Sequence, residues 1–155
     1  MTVTIGQAVP DCSLPATSDK TISLSDLQGQ RVVLYFYPKD ATPGCTLESQ
    51  QFRDLHAEFT AANTVIFGIS RDSIKSHEKF KTAQALPFEL LSDGDEALCT
   101  LFDVIKLKNM YGKQVRGIER STFLIDEHGV LRQEWRKLKA DGHASIVLAA
   151  VAALG

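Results

Sequence analysis

No two of the three cysteines in this 155-residue chain, Cys12, Cys45 and Cys99, stand close enough to make a CxxC pair. That spacing excludes a disulfide framework and thioredoxin-type dithiol exchange within one motif. A zinc cage is excluded as well, because tetrahedral sites draw on close pairs of Cys or His, and His56, His77, His128 and His143 are scattered. Neither a metal nor a cofactor is expected. The chain also lacks an excess of either charge: 17 basic and 19 acidic residues leave a formal −2. No strong field is available to hold nucleic acid or an anionic membrane, so neither is expected as a partner. Met1 to Pro10 has no basic segment followed by an apolar run, and nowhere do apolar residues persist for the ~20 positions of a membrane span. A cytoplasmic location is the expectation. Repeats, low-complexity tracts and Pro/Gly/Ser linkers are missing too, so residues 1–155 read as one domain, with 44% hydrophobic residues to build its core.

What is present alternates between strand and helix. Val32 to Tyr37 is a continuous β-branched and aromatic run stopped by Pro38, and Val65 to Ser70 is a second such run. Between them Phe52, Leu55 and Phe59 keep the spacing of a helix lying on a sheet, which makes a βαβ unit. Arg71-Asp72-Ser73 opens another helix to about Ala85, a short strand follows over Phe88 to Leu91, and Asp93 to Phe102 reads as a shorter helix carrying Cys99. Ser121 to Asp126 and Val130 to Trp135 flank a Gly129 turn as a hairpin. A last helix begins near Asp141 with Ile146, Val147, Ala150, Val151 and Leu154 on one stripe, and a small N-terminal hairpin pairs Cys12 to Leu14 with Thr21 to Leu24. This order is that of an α/β, thioredoxin-like fold: a central mixed sheet flanked by helices, with an N-terminal β-hairpin.

The informative segment is Tyr37 to Thr46, which joins the first core strand to its crossover helix, where active sites of open α/β sheets gather. Pro43 suits the first helical position, which makes Thr42 the N-cap and Cys45 the third residue of the first turn. Unpaired N–H groups and the positive end of the helix dipole converge there and favour a thiolate, the nucleophilic form of cysteine. Cys45 alone of the three cysteines has this setting. Arg120, read from its own surroundings, is a solvated charge or a surface ion pair. Glu48, one turn after Cys45, is an acid that the helix dipole favours.

Pro38, Thr42 and Cys45 fit the Pro-x-x-x-Thr/Ser-x-x-Cys motif of the peroxiredoxins, and Tyr37 to Thr46 resembles their bacterioferritin comigratory protein, or PrxQ, branch. Further matches run through Gly68-Ile69-Ser70, Leu90 to Asp93, Met110-Tyr111-Gly112, Gly117 to Asp126 and Trp135 to Lys137 with Gly142-His143. The resemblance implies a peroxidase that reduces hydrogen peroxide and organic hydroperoxides with thioredoxin, glutaredoxin or glutathione as donor, and a monomer. It implies Cys45 as the peroxidatic cysteine, Thr42 as the hydroxyl that orients peroxide, Pro38 as a shield and Arg120 as the guanidinium beside the thiolate. Backbone N–H groups of Gly44 and Cys45 would hold developing charge on oxygen, and Glu48 is a secondary site candidate.

The chain departs from that branch in one respect. Where many members carry a resolving cysteine five residues beyond the peroxidatic one, this chain has Gln50, and the helix over Asp72 to Ala85 has no cysteine either. A one-cysteine cycle is the expectation, with Cys45 sulfenate reduced by an outside thiol; Cys99, and less so Cys12, is the remaining resolving candidate. Two rivals stand behind it: a redox sensor that passes oxidation of Cys45 to a partner protein, and cysteine-dependent acyl transfer, which needs a histidine base.

Overall fold

A computed structural model of the chain describes residues 2–154. The two apolar runs become the centre of the sheet: β3 (Arg31–Phe36) is buried along its whole length and pairs in parallel with β4 (Thr64–Ser70). Continuous burial on both faces explains why neither run alternates with polar residues. The N-terminal hairpin forms as β1 (Ser13–Ala16) and β2 (Lys20–Ser23), β5 (Leu90–Ser92) lies parallel to β4, and the late hairpin forms as β8 (Ser121–Ile125) and β9 (Leu131–Arg136). Together they make a mixed seven-stranded sheet in the order β2-β1-β5-β4-β3-β8-β9.

Alternation along β3 sorts the core into two layers. Val33, Tyr35 and Tyr37 point into one, under α1 (Pro43–Asp54), α2 (His56–Ala61), α3 (Ile74–Gln84) and α5 (His143–Ala153). Val32, Leu34 and Phe36 point into the other, under the short α4 (Ala97–Leu101) and the N-terminal segment. Gly68 on β4 permits the tight packing of the first layer, because a Cβ there would meet the Tyr35 ring at 2.7 Å.

Four expectations are revised. The crossover helix is broken at Leu55, whose φ of −102° and ψ of 5° end α1 before α2 begins. The helix over Asp93 to Phe102 shrinks to α4, because the Asp93 carboxylate accepts the N–H groups of Leu98 and Cys99 at 3.2 and 2.7 Å and acts from below as its cap. A further hairpin was not anticipated: β6 (Ile105–Met110) and β7 (Lys113–Ile118) form a separate two-stranded sheet. Its turn places Tyr111 and Gly112 at φ of 53° and 78°, the positive values of a tight hairpin turn. Ile146 leaves the predicted stripe of α5 and is exposed, whereas Val147 and Val151 are buried.

Candidate active site

The segment after β3 folds as the residue types require. Pro43 opens α1, Thr42 occupies the N-cap in extended conformation, and Cys45 is the third helical residue. The first i to i−4 bond of the helix runs from Thr46 N–H to Thr42 O at 2.9 Å, so the N–H groups of Gly44 and Cys45 lie ahead of the ladder and face the helix entrance. The Thr42 side chain does not cap the helix; its hydroxyl donates to Lys39 O at 2.8 Å. A carbonyl only accepts, so that bond consumes the hydroxyl proton and leaves the oxygen lone pairs free.

Arg120, one residue before β8, reaches the same point. Its Nη2 donates to Cys45 Sγ at 3.4 Å and its Nη1 to Glu48 Oε1 at 2.7 Å, so one guanidinium bridges sulfur and carboxyl. Gly44 makes room for it, since a Cβ at that position would lie 3.0 Å from Nη2. Glu48 is fully buried, and its second oxygen has no hydrogen-bond partner among the described residues. Burial pushes its pKa up to about 7, with Arg120 pulling the other way. Cys45 itself is 1% exposed. Pro38 follows the buried Tyr37 directly and is half-buried at the sheet's end.

The loop is fastened from the other side by groups that sequence reading did not single out. Asp40 accepts hydrogen bonds from Tyr37 Oη at 2.6 Å and Ser76 Oγ at 2.8 Å, and it faces His77 Nδ1 at 2.7 Å. Burial opposes its ionisation, but the hydrogen bonds from His77 and Tyr37 outweigh it and hold the carboxyl below its ordinary range. Asp40 N–H donates to Asp72 Oδ2 at 2.9 Å, and Ala41 between Asp40 and Thr42 is held at a φ of 63°. The signal for His77 was its place three residues before Phe80 on the inward side of α3. Asp40, Asp72 and His77 bring ligand atoms within 4.8 Å of one another, the donor set that could hold a metal, yet each is already engaged with its neighbours or with Leu91 O.

No described histidine makes a hydrogen bond to Cys45. His77 spends both ring nitrogens on Asp40 and Leu91 O, and His143 Nε2 meets Thr122 Oγ1 at 2.8 Å. His143 is pulled down to a pKa of about 4 by burial and by the charge of Arg120. Its ring stands edge-on to Trp135, with centroids 5.7 Å apart.

The remaining cysteines lie elsewhere. Cys45 belongs to the layer under α1, α3 and α5, whereas Cys99 is buried in the opposite layer and Cys12 packs against that layer. Burial, followed by the Asp93 carboxylate, raises the pKa of both thiols. Gln50 binds Gln84 Oε1 through its amide at 2.8 Å and ties α1 to the end of α3.

Comparison with known proteins places this geometry in context. The sequence profile of the AhpC/TSA family matches residues 5–134. Peroxiredoxin Bcp of Bacillus subtilis is 51% identical over 148 residues, 96% of this chain and 94% of the relative. Peroxiredoxin Bcp of Xanthomonas campestris is 54% identical over 143 residues, 92% of this chain and 89% of the relative. Among solved structures, the bacterioferritin comigratory protein of Xanthomonas campestris superposes with a TM-score of 0.89 at 53% identity, covering 92% of this chain and 91% of that one. A cysteine-to-serine mutant of Xylella fastidiosa PrxQ gives 0.94 at 42% identity, covering 99% and 98%.

Proposed function

Because the chain belongs to the AhpC/TSA family, in its Bcp/PrxQ peroxiredoxin branch, and is thereby a thiol-dependent peroxidase, we propose that Cys45 is the residue that attacks peroxide and that an outside thiol restores it. The observation that carries the reading is the Arg120 contact to Cys45 Sγ at 3.4 Å, made at the entrance of α1. A guanidinium does not lose its proton in a protein, so Arg120 presents a fixed positive charge and an N–H donor to the sulfur throughout the working range.

The chemistry follows from the positions of the groups. The thiolate sulfur attacks one peroxide oxygen, an S–O bond forms, the O–O bond breaks, and the other oxygen leaves with the electron pair and takes up a proton as water or alcohol. Thr42 Oγ, its own proton committed to Lys39 O, accepts the peroxide hydroxyl and turns it toward the sulfur. The N–H groups of Gly44 and Cys45, with Arg120, face the charge that grows on oxygen. Glu48 fixes the plane of the Arg120 guanidinium, and Pro38 covers the thiolate from water at the sheet's end. The product is a sulfenic acid at Cys45.

Reduction then takes two external thiol equivalents. The first sulfur bonds to Cys45 and water leaves; the second displaces Cys45 as thiolate and closes the donor's disulfide. Cys99 and Cys12 are poor resolving partners because the sheet stands between them and Cys45. Hydrogen peroxide and organic hydroperoxides are the proposed substrates; the Xanthomonas campestris relative has alkyl peroxide reduction activity. Thioredoxin, glutaredoxin or glutathione is the proposed donor, the cytoplasm the proposed location and a monomer the proposed state. Cysteine-based acyl transfer finds no histidine hydrogen-bonded to the sulfur among the described residues. The test is rapid mixing with peroxide followed by mass analysis: Cys45→Ser is expected to abolish turnover, and turnover that survives it would refute the assignment.

A further inference from the structure

The hairpin of β6 and β7 carries a feature that peroxide attack does not use. Residues 105–118 contain four basic residues, Lys106, Lys108, Lys113 and Arg116, and no acidic one, in a chain whose formal charge is −2. Partners across an antiparallel pair share a face, and the register sets Lys108 opposite Val115, Met110 opposite Lys113, and Lys106 opposite Gly117. One face of the hairpin therefore carries three lysines interleaved with Met110 and Val115. Met110 is 49% exposed, Val115 43%, and Tyr111 at the tip is wholly exposed. Lys106 pairs with Asp103, while the Lys108 ammonium donates to the neutral Ile118 carbonyl and has no acidic partner among the described residues. Arg116 lies on the other face and is consumed by Glu96.

Strand β6 leads to the site. Lys106 and Lys108, together with Leu107 and Asn109 of the other face, line a cleft of about 460 Å³ that ends on Arg120 and is walled opposite by Lys137 and Leu138, with Glu119 its single carboxylate. Arg120 in turn touches Cys45 Sγ. A cationic, apolar-studded strand thus leads to the guanidinium that holds the reactive sulfur.

We propose that this hairpin face is the docking surface for the protein that reduces oxidised Cys45, a dithiol reductant whose reactive cysteine sits on an apolar surface rimmed by carboxylates. The inference rests on the peroxidase reading above. Charge complementarity selects an acidic partner. Size selects a protein: strands of six residues reach about 20 Å, and the exposed Met110 and Tyr111 lie at the far end, beyond the span of a small thiol seated in the cleft. Burial of Cys45 to 1% exposure adds a reason, since a docked partner stays in place until the first turn of α1 opens and presents the sulfur. The partner's first thiolate then bonds to the Cys45 sulfur with loss of water, and its second thiolate releases Cys45 and closes the partner's disulfide.

The experiment uses the full chain oxidised with one equivalent of hydrogen peroxide, then reduced by dithiothreitol, by a bacterial thioredoxin or by a bacterial glutaredoxin, with the double variant Met110→Ser, Lys113→Glu alongside. Reduction by the protein donor is expected to slow about tenfold in the variant, with a weaker salt dependence, while peroxide oxidation and dithiothreitol reduction stay within about twofold of the unaltered chain. Equal protein-donor rates in the two forms would overturn the proposal, as would an unaltered chain that neither protein reduces. Sedimentation showing a dimer that the variant splits would assign the face to a second copy instead and equally overturn it. Failure of peroxide to oxidise Cys45 is read separately, in the first step, and would remove the peroxidase reading itself.

Discussion

Glu48 and His143 both feel the charge of Arg120 and respond to pH in opposite senses. Burial raises Glu48 to about 7 from an ordinary 4.5, so between those values the folded chain holds a proton that the unfolded chain has lost, and stability falls as pH rises through the window. Burial and Arg120 lower His143 to about 4 from 6.5, so the unfolded chain takes up its proton first, and stability falls as pH drops through that window. Between 4.5 and 6.5 the two slopes oppose each other. Glu48→Gln removes one of them: across that interval the variant's stability is expected to climb with pH by roughly 2 to 3 kcal/mol where the unaltered chain stays nearly flat, measured by urea unfolding at several pH values. Gly44 offers a second residue-level test. An alanine there would improve helix propensity by as much as about 1 kcal/mol, yet its Cβ presses on Arg120 Nη2 at 3.0 Å. Gly44→Ala is expected to hold or raise the melting temperature while peroxide oxidation slows by about tenfold, read from a thermal melt beside a rapid-mixing trace.

At the scale of elements, α1 is held to α3 at both ends. Asp40 meets Ser76 and His77 near the entrance of α1, and Gln50 and Arg53 meet Gln84 farther along. Asp40→Ala would leave His77 facing an empty space inside the layer, so a loss of about 3 kcal/mol in urea unfolding is expected, with slower peroxide oxidation as Thr42 loses its footing; Asp40→Asn should cost less in both. Much of this architecture was legible in the residues. The runs of β3 and β4 declare themselves through uninterrupted β-branched and aromatic side chains, and Thr42-Pro43 marks the helix start on which Cys45 depends. The Asp40–His77 contact was hidden because the partners come from separate elements 37 positions apart, and no local pattern encodes such a meeting. The β6–β7 hairpin escaped for a different reason. Its first strand alternates lysine with apolar residues but its second does not, both bury little, and its turn is Tyr111-Gly112 rather than the Asn-Gly or Asp-Gly that announces a tight hairpin.

At the scale of the whole molecule, the seven-stranded sheet is a partition between thiols. Cys45 lies in one layer, and Cys99 with Cys12 in the other. After one equivalent of peroxide, mass mapping is expected to find Cys12 and Cys99 still reduced and no bridge within the chain, and Cys99→Ser is expected to retain turnover with a suitable donor. An internal disulfide in the oxidised protein would contradict both. The same layering has an optical consequence. Trp135, the single tryptophan, packs against the layer that holds Cys45 and stands 5.7 Å from the ring of His143. An indole so placed is expected to change its emission when α5 and the His143 ring shift, so a rapid-mixing fluorescence trace with one equivalent of peroxide would let the native chain gauge its own oxidation, with no label attached.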